Sequence, residues 1–214
     1  MIVVKGAVKR FGAQTVLNGI NFSVEKGERV IVLGQNGAGK TTLLRAILGQ
    51  YRLDLGSVTI GGFDPIRQRL SALLLVAYIP QLPPPLPMTV GGLLTFSESV
   101  SGVAPRTVID VCKKFSLDLT GHLNKPFGKL SGGMKQKLLC SIAFARKAPL
   151  MLFDEPTANL DPEAREVFSQ LVASEDLEGT TMVFISHRIE ELGAMLDRAV
   201  WLDLGRVVKN VQLH

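Results

Sequence analysis

Gly-Gln-Asn-Gly-Ala-Gly-Lys-Thr-Thr, residues 34–42, is the stretch that decides the fold. It fits the phosphate-binding pattern G-x-x-x-x-G-K-[ST] without a mismatch. An apolar run at residues 28–33 precedes it and has the length of a buried strand, and residues 43–49 follow with helical spacing and a glycine stop. Because the motif requires the order strand, glycine loop and helix, the sequence predicts an α/β protein that binds a polyphosphate.

Each part of this loop has a chemical task. Gly34, Gly37 and Gly39 allow the tight turns that direct backbone N–H groups inward. The start of the helix adds partial positive charge. Lys40 supplies a full positive charge for the β- and γ-phosphates, and the hydroxyl of Thr41 can ligate Mg²⁺.

Composition limits the class of protein. The chain has 214 residues, of which 46% are hydrophobic, and this suits one domain with a sizeable core. The net charge of +5 comes without a basic helix interleaved with aromatics, so nucleic acid is not the expected partner; a polyphosphate or an acidic lipid surface fits better.

Cys112 and Cys140 have no metal-ligand spacing and are expected to be buried thiols. The apolar run 70–79 is too short to cross a membrane, so we expect a soluble chain.

The remaining elements are predicted from periodicity and from turn residues. Residues 1–33 are predicted as short strands separated by glycines, among them Gly6 and Gly19, and proline-rich residues 83–87 are predicted to be extended. A helical insert is predicted from about 90 to 145, and Asp161 with Pro162 is predicted to start a later helix. Further strands are predicted at residues 58–60, 150–153, 181–185, 199–202 and 207–208.

Two other stretches carry chemistry. Asp154 and Glu155 directly follow the apolar run 150–153; at a strand end Asp154 could hold Mg²⁺ and Glu155 could accept a proton from an attacking water. Ser131 with Gly132 and Gly133 opens a predicted helix and forms a second potential anion site. Taken alone, Ser131 could simply cap its own helix, and the Asp-Glu pair could be an ordinary strand-end turn.

These motifs, in this order, resemble those of an ATP-binding-cassette (ABC) ATPase, the nucleotide-binding subunit of an ABC transporter. Residues 34–42 resemble the Walker A loop, Gln81 the Q-loop glutamine, residues 130–136 the signature, residues 151–155 Walker B with its catalytic glutamate, residues 158–161 the D-loop, and His187 the switch histidine. The resemblance covers essentially the whole chain. It implies a P-loop NTPase (RecA-like) α/β fold in one domain, 1–214. The expected parts are a mixed sheet core, an N-terminal antiparallel β subdomain and a helical, signature-bearing subdomain at about 84–146.

The resemblance also implies an activity and a set of partners. Two cassettes would close head to tail around two ATP molecules, each held by Walker A of one subunit and the signature of the other. A separate transmembrane permease would use the cycle for transport at the cytoplasmic face of the cell membrane. Glu155, His187 and Gln81 would serve hydrolysis, and Thr41, Gln81 and Asp154 would hold Mg²⁺. The nucleotide would be bound by Phe11, Gly34, Gln35, Asn36, Gly37, Ala38, Gly39, Lys40, Thr41 and Thr42, and by the partner's copies of Ser131, Gly132 and Gly133.

Some features depart from the family pattern or leave alternatives open. Met134 replaces the more familiar glutamine of the signature and removes one polar contact, and Gln35 replaces a commoner proline in the glycine loop.

Phe11 could equally belong to the core rather than stack on adenine. A cassette acting on DNA or in translation is the alternative function. The long coiled-coil insertion or second cassette typical of that class is missing from the sequence. A cassette that binds ATP without turnover is a third possibility, against which Glu155 and His187 argue.

Overall fold

The computed structural model describes residues 1–186 and 195–213. The strands are β1 (Ile2–Phe11), β2 (Gln14–Val24), β3 (Arg29–Leu33), β4 (Leu55–Ile60), β5 (Val76–Ile79), β6 (Leu150–Asp154), β7 (Thr181–Ile185), β8 (Arg198–Asp203) and β9 (Arg206–Gln212). The helices are α1 (Lys40–Ile47), α2 (Arg69–Leu74), α3 (Val90–Ser101), α4 (Pro105–Lys114), α5 (Gly132–Arg146) and α6 (Pro162–Val172). Within these described ranges no helix has the length and apolar character needed to span a membrane.

The chain divides into two compact units. The first comprises Met1–Val76, Pro149–Asp154 and Gly179–His214, and the second comprises Ala77–Ala148 and Glu155–Glu178. The prediction of a helical subdomain at about 84–146 stays a prediction.

An antiparallel sheet in the order β2-β1-β4 forms one layer of the first unit. The prediction that Gly6 and Gly19 separate short strands is wrong, because both glycines lie inside long ones. Ala7 pairs with Ile20 and Val8 pairs with Asn18, so Gly19 is an extra residue in the ladder, at a φ of 74°. Glycine adopts this left-handed conformation without steric cost, and the strand continues through a bulge instead of ending.

The second sheet of the first unit carries the strand that leads into the glycine loop. Its strands follow the order β6, β7, β3, β8, β9, with parallel pairing up to β8 and antiparallel pairing between β8 and β9. The predicted mixed sheet is therefore confirmed. All residues of β6 and β7 are buried, as their continuous apolar runs predict, and the rings of Phe153 and Phe184 stack with centroids 4.5 Å apart.

The second unit is mainly helical. A cluster of buried side chains from α3, α4, α5 and the connecting turns forms its core, including Val90, Leu94, Val108, Cys112, Phe127 and Leu138. Both cysteines are buried free thiols, as predicted. Asp161 caps α6 by accepting a hydrogen bond from the N–H of Ala164 at 2.8 Å, and Pro162 is the first helical residue, also as predicted.

Candidate functional site

The glycine loop of the first unit connects β3 to α1, as the motif predicts. Gly34, Gly37 and Gly39 have φ values of 154°, 85° and 103°, and Gly39 is the N-cap of α1. A Cβ atom would lie 2.3 Å from the carbonyl oxygen of Leu202 at Gly34 and 2.9 Å from that of Val16 at Gly39. At Gly37 no atom of the described residues lies within 4 Å of such a Cβ, and it is the positive φ of 85° that favours glycine there.

The side chain of Lys40 lies folded into this loop. Only 8% of the residue is exposed, and its ammonium donates to the carbonyl oxygens of Gly34 at 2.6 Å and Gln35 at 3.0 Å. Burying a cation costs free energy, and hydrogen bonds of this kind offset that cost. The loop therefore places one full positive charge at the start of α1, whose first turn contains no acidic residue.

A turn between β8 and β9 supports the loop from outside its own sequence. The N–H of Gly205 donates to the carbonyl of Ala38 at 3.1 Å, and the carbonyl of Gly205 accepts from the N–H of Asn18 at 2.8 Å. Gly205 has a φ of 72°, and a Cβ there would lie 2.4 Å from the carbonyl oxygen of Val16. Sequence analysis predicted the two strands that this turn joins but not the contact between the turn and the glycine loop.

Phe11 lies at the end of β1 and is not a core residue, since 44% of it is exposed. The ring of Tyr51 meets it edge to face, with centroids 5.3 Å apart at 74°, and the ammonium of Lys9 lies 5.2 Å from the Phe11 centroid. The hydroxyl of Tyr51 accepts a hydrogen bond from Arg45 at 2.8 Å. Tyr51 was missed by sequence analysis, because it lies in no motif.

Asp154 ends β6, where it is 3% exposed. Thr41 lies half-buried in the first turn of α1. A carboxylate and a hydroxyl are both oxygen donors, and Mg²⁺ takes one or two such protein ligands and completes its shell with water and phosphate oxygens. The donor set therefore fits Mg²⁺. No cluster of three or more His, Cys, Asp or Glu suitable for a metal occurs in the described part of the chain.

Glu155 and Gln81 both belong to the second unit. Glu155 has a φ of 47°, a left-handed conformation that a non-glycine residue rarely adopts, and its carbonyl accepts from the N–H of Ala158 at 3.2 Å. Gln81 is exposed, and its carbonyl accepts from the side-chain amide of Asn159 at 2.9 Å. Backbone strain of this kind often marks a functional site.

The start of α5 carries the signature residues. The hydroxyl of Ser131 caps the helix by accepting from the N–H of Met134 at 3.2 Å, and Gly132 and Gly133 form the first turn, which contains no acidic residue. Lys137 of the same helix pairs with Asp161 at 2.7 Å. The Lys137 ammonium, with the N–H that Asp161 caps, holds the pKa of that carboxyl below its usual value.

The other predicted binding residues lie in or beside the glycine loop. Gln35 and Asn36 are exposed, Ala38 is buried, and Thr42 is half-buried. His187 lies outside the described residues. Within the first unit, the structure thus brings the glycine loop into contact with its supporting turn. Within the second unit, hydrogen bonds and an ion pair join the segments that contain Gln81, α5 and the residues after Glu155.

A strand, a glycine loop holding a buried lysine, and a helix together define a P-loop nucleotide-binding protein. The sequence model of the ABC transporter family matches residues 17–158, and the chain belongs to this family as an ATP-binding, ATP-hydrolysing subunit. The Nod factor export ATP-binding protein I of Burkholderia orbicola (strain AU 1054) is 34% identical over 212 residues, which cover 96% of this chain and 69% of that protein.

Solved structures give the same result. An ATP-binding subunit of an ABC transporter matches with a TM-score of 0.90 and 28% identity, covering 100% of this chain and 90% of the other. A dimeric bacterial ABC transporter cassette matches with a TM-score of 0.81 and 25% identity, covering 100% and 99%. The predicted family, fold class and ATPase activity are thereby confirmed, with ATP as the nucleotide.

Proposed function

We propose that two cassettes, two copies of this chain or this chain and a second one, close around two ATP molecules to drive a separate transmembrane permease. The observation that carries this proposal is that one chain has two glycine-rich helix starts without an acidic residue in the first turn, at α1 and at α5. Each attracts an anion, and they belong to different units. The dimeric state of the related cassette supports the pairing.

The residues take the following roles in this proposal. Lys40 and the backbone of residues 34–42 hold the β- and γ-phosphates, and Phe11 stacks on the base. Ser131, Gly132 and Gly133 contact the γ-phosphate bound by the other subunit. Thr41, Asp154 and Gln81 hold Mg²⁺, which neutralises phosphate charge when bound. His187 orients the attacking water and the γ-phosphate. The whole chain then forms one ABC ATPase domain with its helical subdomain at about 84–146.

Glu155 is the proposed base. It would accept the proton of the water that attacks the γ-phosphate. Its left-handed φ of 47° supports this role, because strain of about 1–3 kcal/mol persists only where the surroundings enforce it. Transport, and a position on the cytoplasmic face of the membrane, are inferred from relatives such as the Burkholderia orbicola protein, which is named for export.

The test separates binding from hydrolysis. Glu155→Gln should keep ATP affinity and lose steady-state phosphate release by about 10²–10⁴-fold. Lys40→Ala should instead lose affinity for ATP. Phosphate release by Glu155→Gln at the wild-type rate would show that Glu155 is not the base. ATP binding by Lys40→Ala at wild-type affinity would exclude the proposed role of Lys40 in holding the phosphates. Stimulation of the ATPase by nucleic acid, and not by a permease in proteoliposomes, would exclude the transport role.

A further inference from the structure

Gln136 is a fully buried polar residue in α5, with 0% of its surface exposed. Its side-chain nitrogen lies 3.2 Å from the carbonyl oxygen of Pro80 and 3.2 Å from that of Pro156. Its side-chain oxygen has no hydrogen-bond partner within the part of the chain that the structure describes. A buried polar atom without a partner costs about 1–3 kcal/mol, so packing stability does not explain this residue.

The two carbonyls that Gln136 binds are each adjacent to a proposed functional residue. Pro80 directly precedes Gln81, and Pro156 directly follows Glu155. One side chain therefore fixes the backbone at both places. All of these groups lie within the second unit. The bond to the Pro156 carbonyl falls one peptide beyond the strained Glu155, where an external restraint helps to hold the left-handed conformation.

Neighbouring contacts extend this restraint. Asn159 donates to the carbonyl of Gln81 at 2.9 Å, so two consecutive carbonyls of that segment are held by side chains. Lys137, next to Gln136 on α5, pairs with Asp161 at 2.7 Å. Residues 136 and 137 thus hold both ends of the loop 155–161. The same helix begins with Ser131, whose proposed ligand is the nucleotide of the other subunit.

We propose that Gln136 is a positioning residue for hydrolysis, which holds the backbone beside Gln81 and Glu155 and connects both to the signature helix. This inference rests on the proposed roles of those two residues. Gln136 itself does not touch the nucleotide; it acts by restraining the orientation of Glu155 toward the attacking water. Misplacement of a reacting group by about 1 Å can cost on the order of 10²-fold in rate.

The principal test is Gln136→Met, which keeps the length of the side chain and removes its donor. We expect kcat for ATP hydrolysis to fall by about 10–100-fold while KM and the ATP dissociation constant stay within about threefold. Ser141→Ala is the matched control, because Ser141 is also fully buried on α5 but donates to the carbonyl of Lys137 at 2.8 Å and not to either proline carbonyl. Its kcat should stay within about twofold of wild type.

Gln136→Glu gives a second readout that a merely structural role would not produce. An ionised carboxylate only accepts hydrogen bonds and would repel both proline carbonyls, whereas the protonated acid donates one bond. Burial favours the protonated form, so the ratio of its kcat to that of Gln136→Met should rise as the pH falls from about 8 to about 6. If Gln136→Met does not fold, the kcat of Gln136→Glu is compared with that of wild type over the same pH range, and this ratio should likewise rise as the pH falls.

The outcomes separate this inference from the proposed function. A wild-type kcat for Gln136→Met overturns it, as does a loss of kcat matched by an equal loss of ATP affinity. A kcat ratio that is constant with pH overturns it as well. If Glu155→Gln is inactive and Gln136→Met is fully active, only the positioning role fails. If Glu155→Gln hydrolyses ATP at the wild-type rate, the base assignment fails first and this inference fails with it.

Discussion

Replacement of Phe11 by alanine should weaken ATP binding without weakening phosphate binding. The ring is 44% exposed at the end of β1 and is held from the side by Tyr51. Stacking of a base on an aromatic side chain is worth about 1–3 kcal/mol, so the dissociation constant for ATP should rise by about 5–150-fold. Inorganic tripolyphosphate has no base, and in the proposed binding mode only Lys40 and the glycine loop would hold it, so its affinity should not change.

Tyr51 provides a graded version of the same experiment. Tyr51→Ala removes the edge-to-face contact with Phe11, which is worth about 0.5–1.5 kcal/mol, and should weaken ATP binding by at most about tenfold. Tyr51→Phe keeps the ring and loses only the bond from Arg45, so its ATP affinity should lie within about twofold of wild type.

Isothermal titration calorimetry of ATP and of tripolyphosphate against the three variants and wild type measures these constants. The reasoning is refuted if Phe11→Ala binds ATP as tightly as wild type. It is refuted equally if Phe11→Ala weakens both ligands by the same factor, because the loss would then come from the loop and not from the base.

Three further predictions concern the stability contributed by Glu28, the reactivity of the two cysteine thiols and the shape of the glycine loop. Burial alone would raise the pKa of Glu28, but the hydrogen bond and charge of Arg198 outweigh it and lower the pKa. Glu28→Gln should therefore lower the free energy of unfolding by about 1.5–3 kcal/mol at neutral pH, as measured by urea titration. Burial raises the pKa of the Cys112 thiol to about 11, and that of Cys140 still further, so a thiol reagent at neutral pH should label neither in the native protein. Gly39→Ala should weaken ATP binding in calorimetry, because its methyl group would lie 2.9 Å from a backbone carbonyl oxygen.

Each of these predictions has a control or a contradicting outcome. The contribution of Glu28 is complete above its usual pKa of 4.5 and is lost as the pH falls through the lowered value, so the deficit of Glu28→Gln should shrink in acid. A deficit that grows there contradicts the assignment. Rapid labelling of Cys112 in folded protein contradicts its burial. Gly12→Ala is the control for Gly39→Ala, because Gly12 also has a positive φ, 59°, but no atom in the described part of the chain lies within 4 Å of the added Cβ.

Local sequence patterns predicted the parts of the fold that depend on neighbouring residues. The glycine loop, β3 before it and the buried strands β6 and β7 follow from periodicity and glycine spacing, and the Asp161 cap follows from a two-residue signal. Gly19 was misinterpreted because glycine both ends strands and forms bulges within them. Only the partner strand decides between the two, and its register is not visible in the sequence.

The contacts that sequence analysis missed join residues far apart in the chain. The turn at Gly205 meets the loop at Ala38, and Gln136 meets carbonyls at Pro80 and Pro156. In each case the acceptor is a backbone carbonyl, which any residue type supplies, so no residue pattern marks the pair. Tyr51 was missed for a related reason, since its contact with Phe11 depends on how β1 and the segment after α1 come together.

The support that Gly205 gives to the glycine loop affects when the protein can begin to bind ATP during its synthesis. Gly34 and Ala38 are synthesised well before Leu202 and Gly205, which lie against them in the folded chain. A nascent chain that still lacks β8 and β9 has the complete phosphate-binding motif but not the backbone that holds it in shape. We therefore expect a ribosome-bound chain to acquire nucleotide affinity only after β9 has emerged.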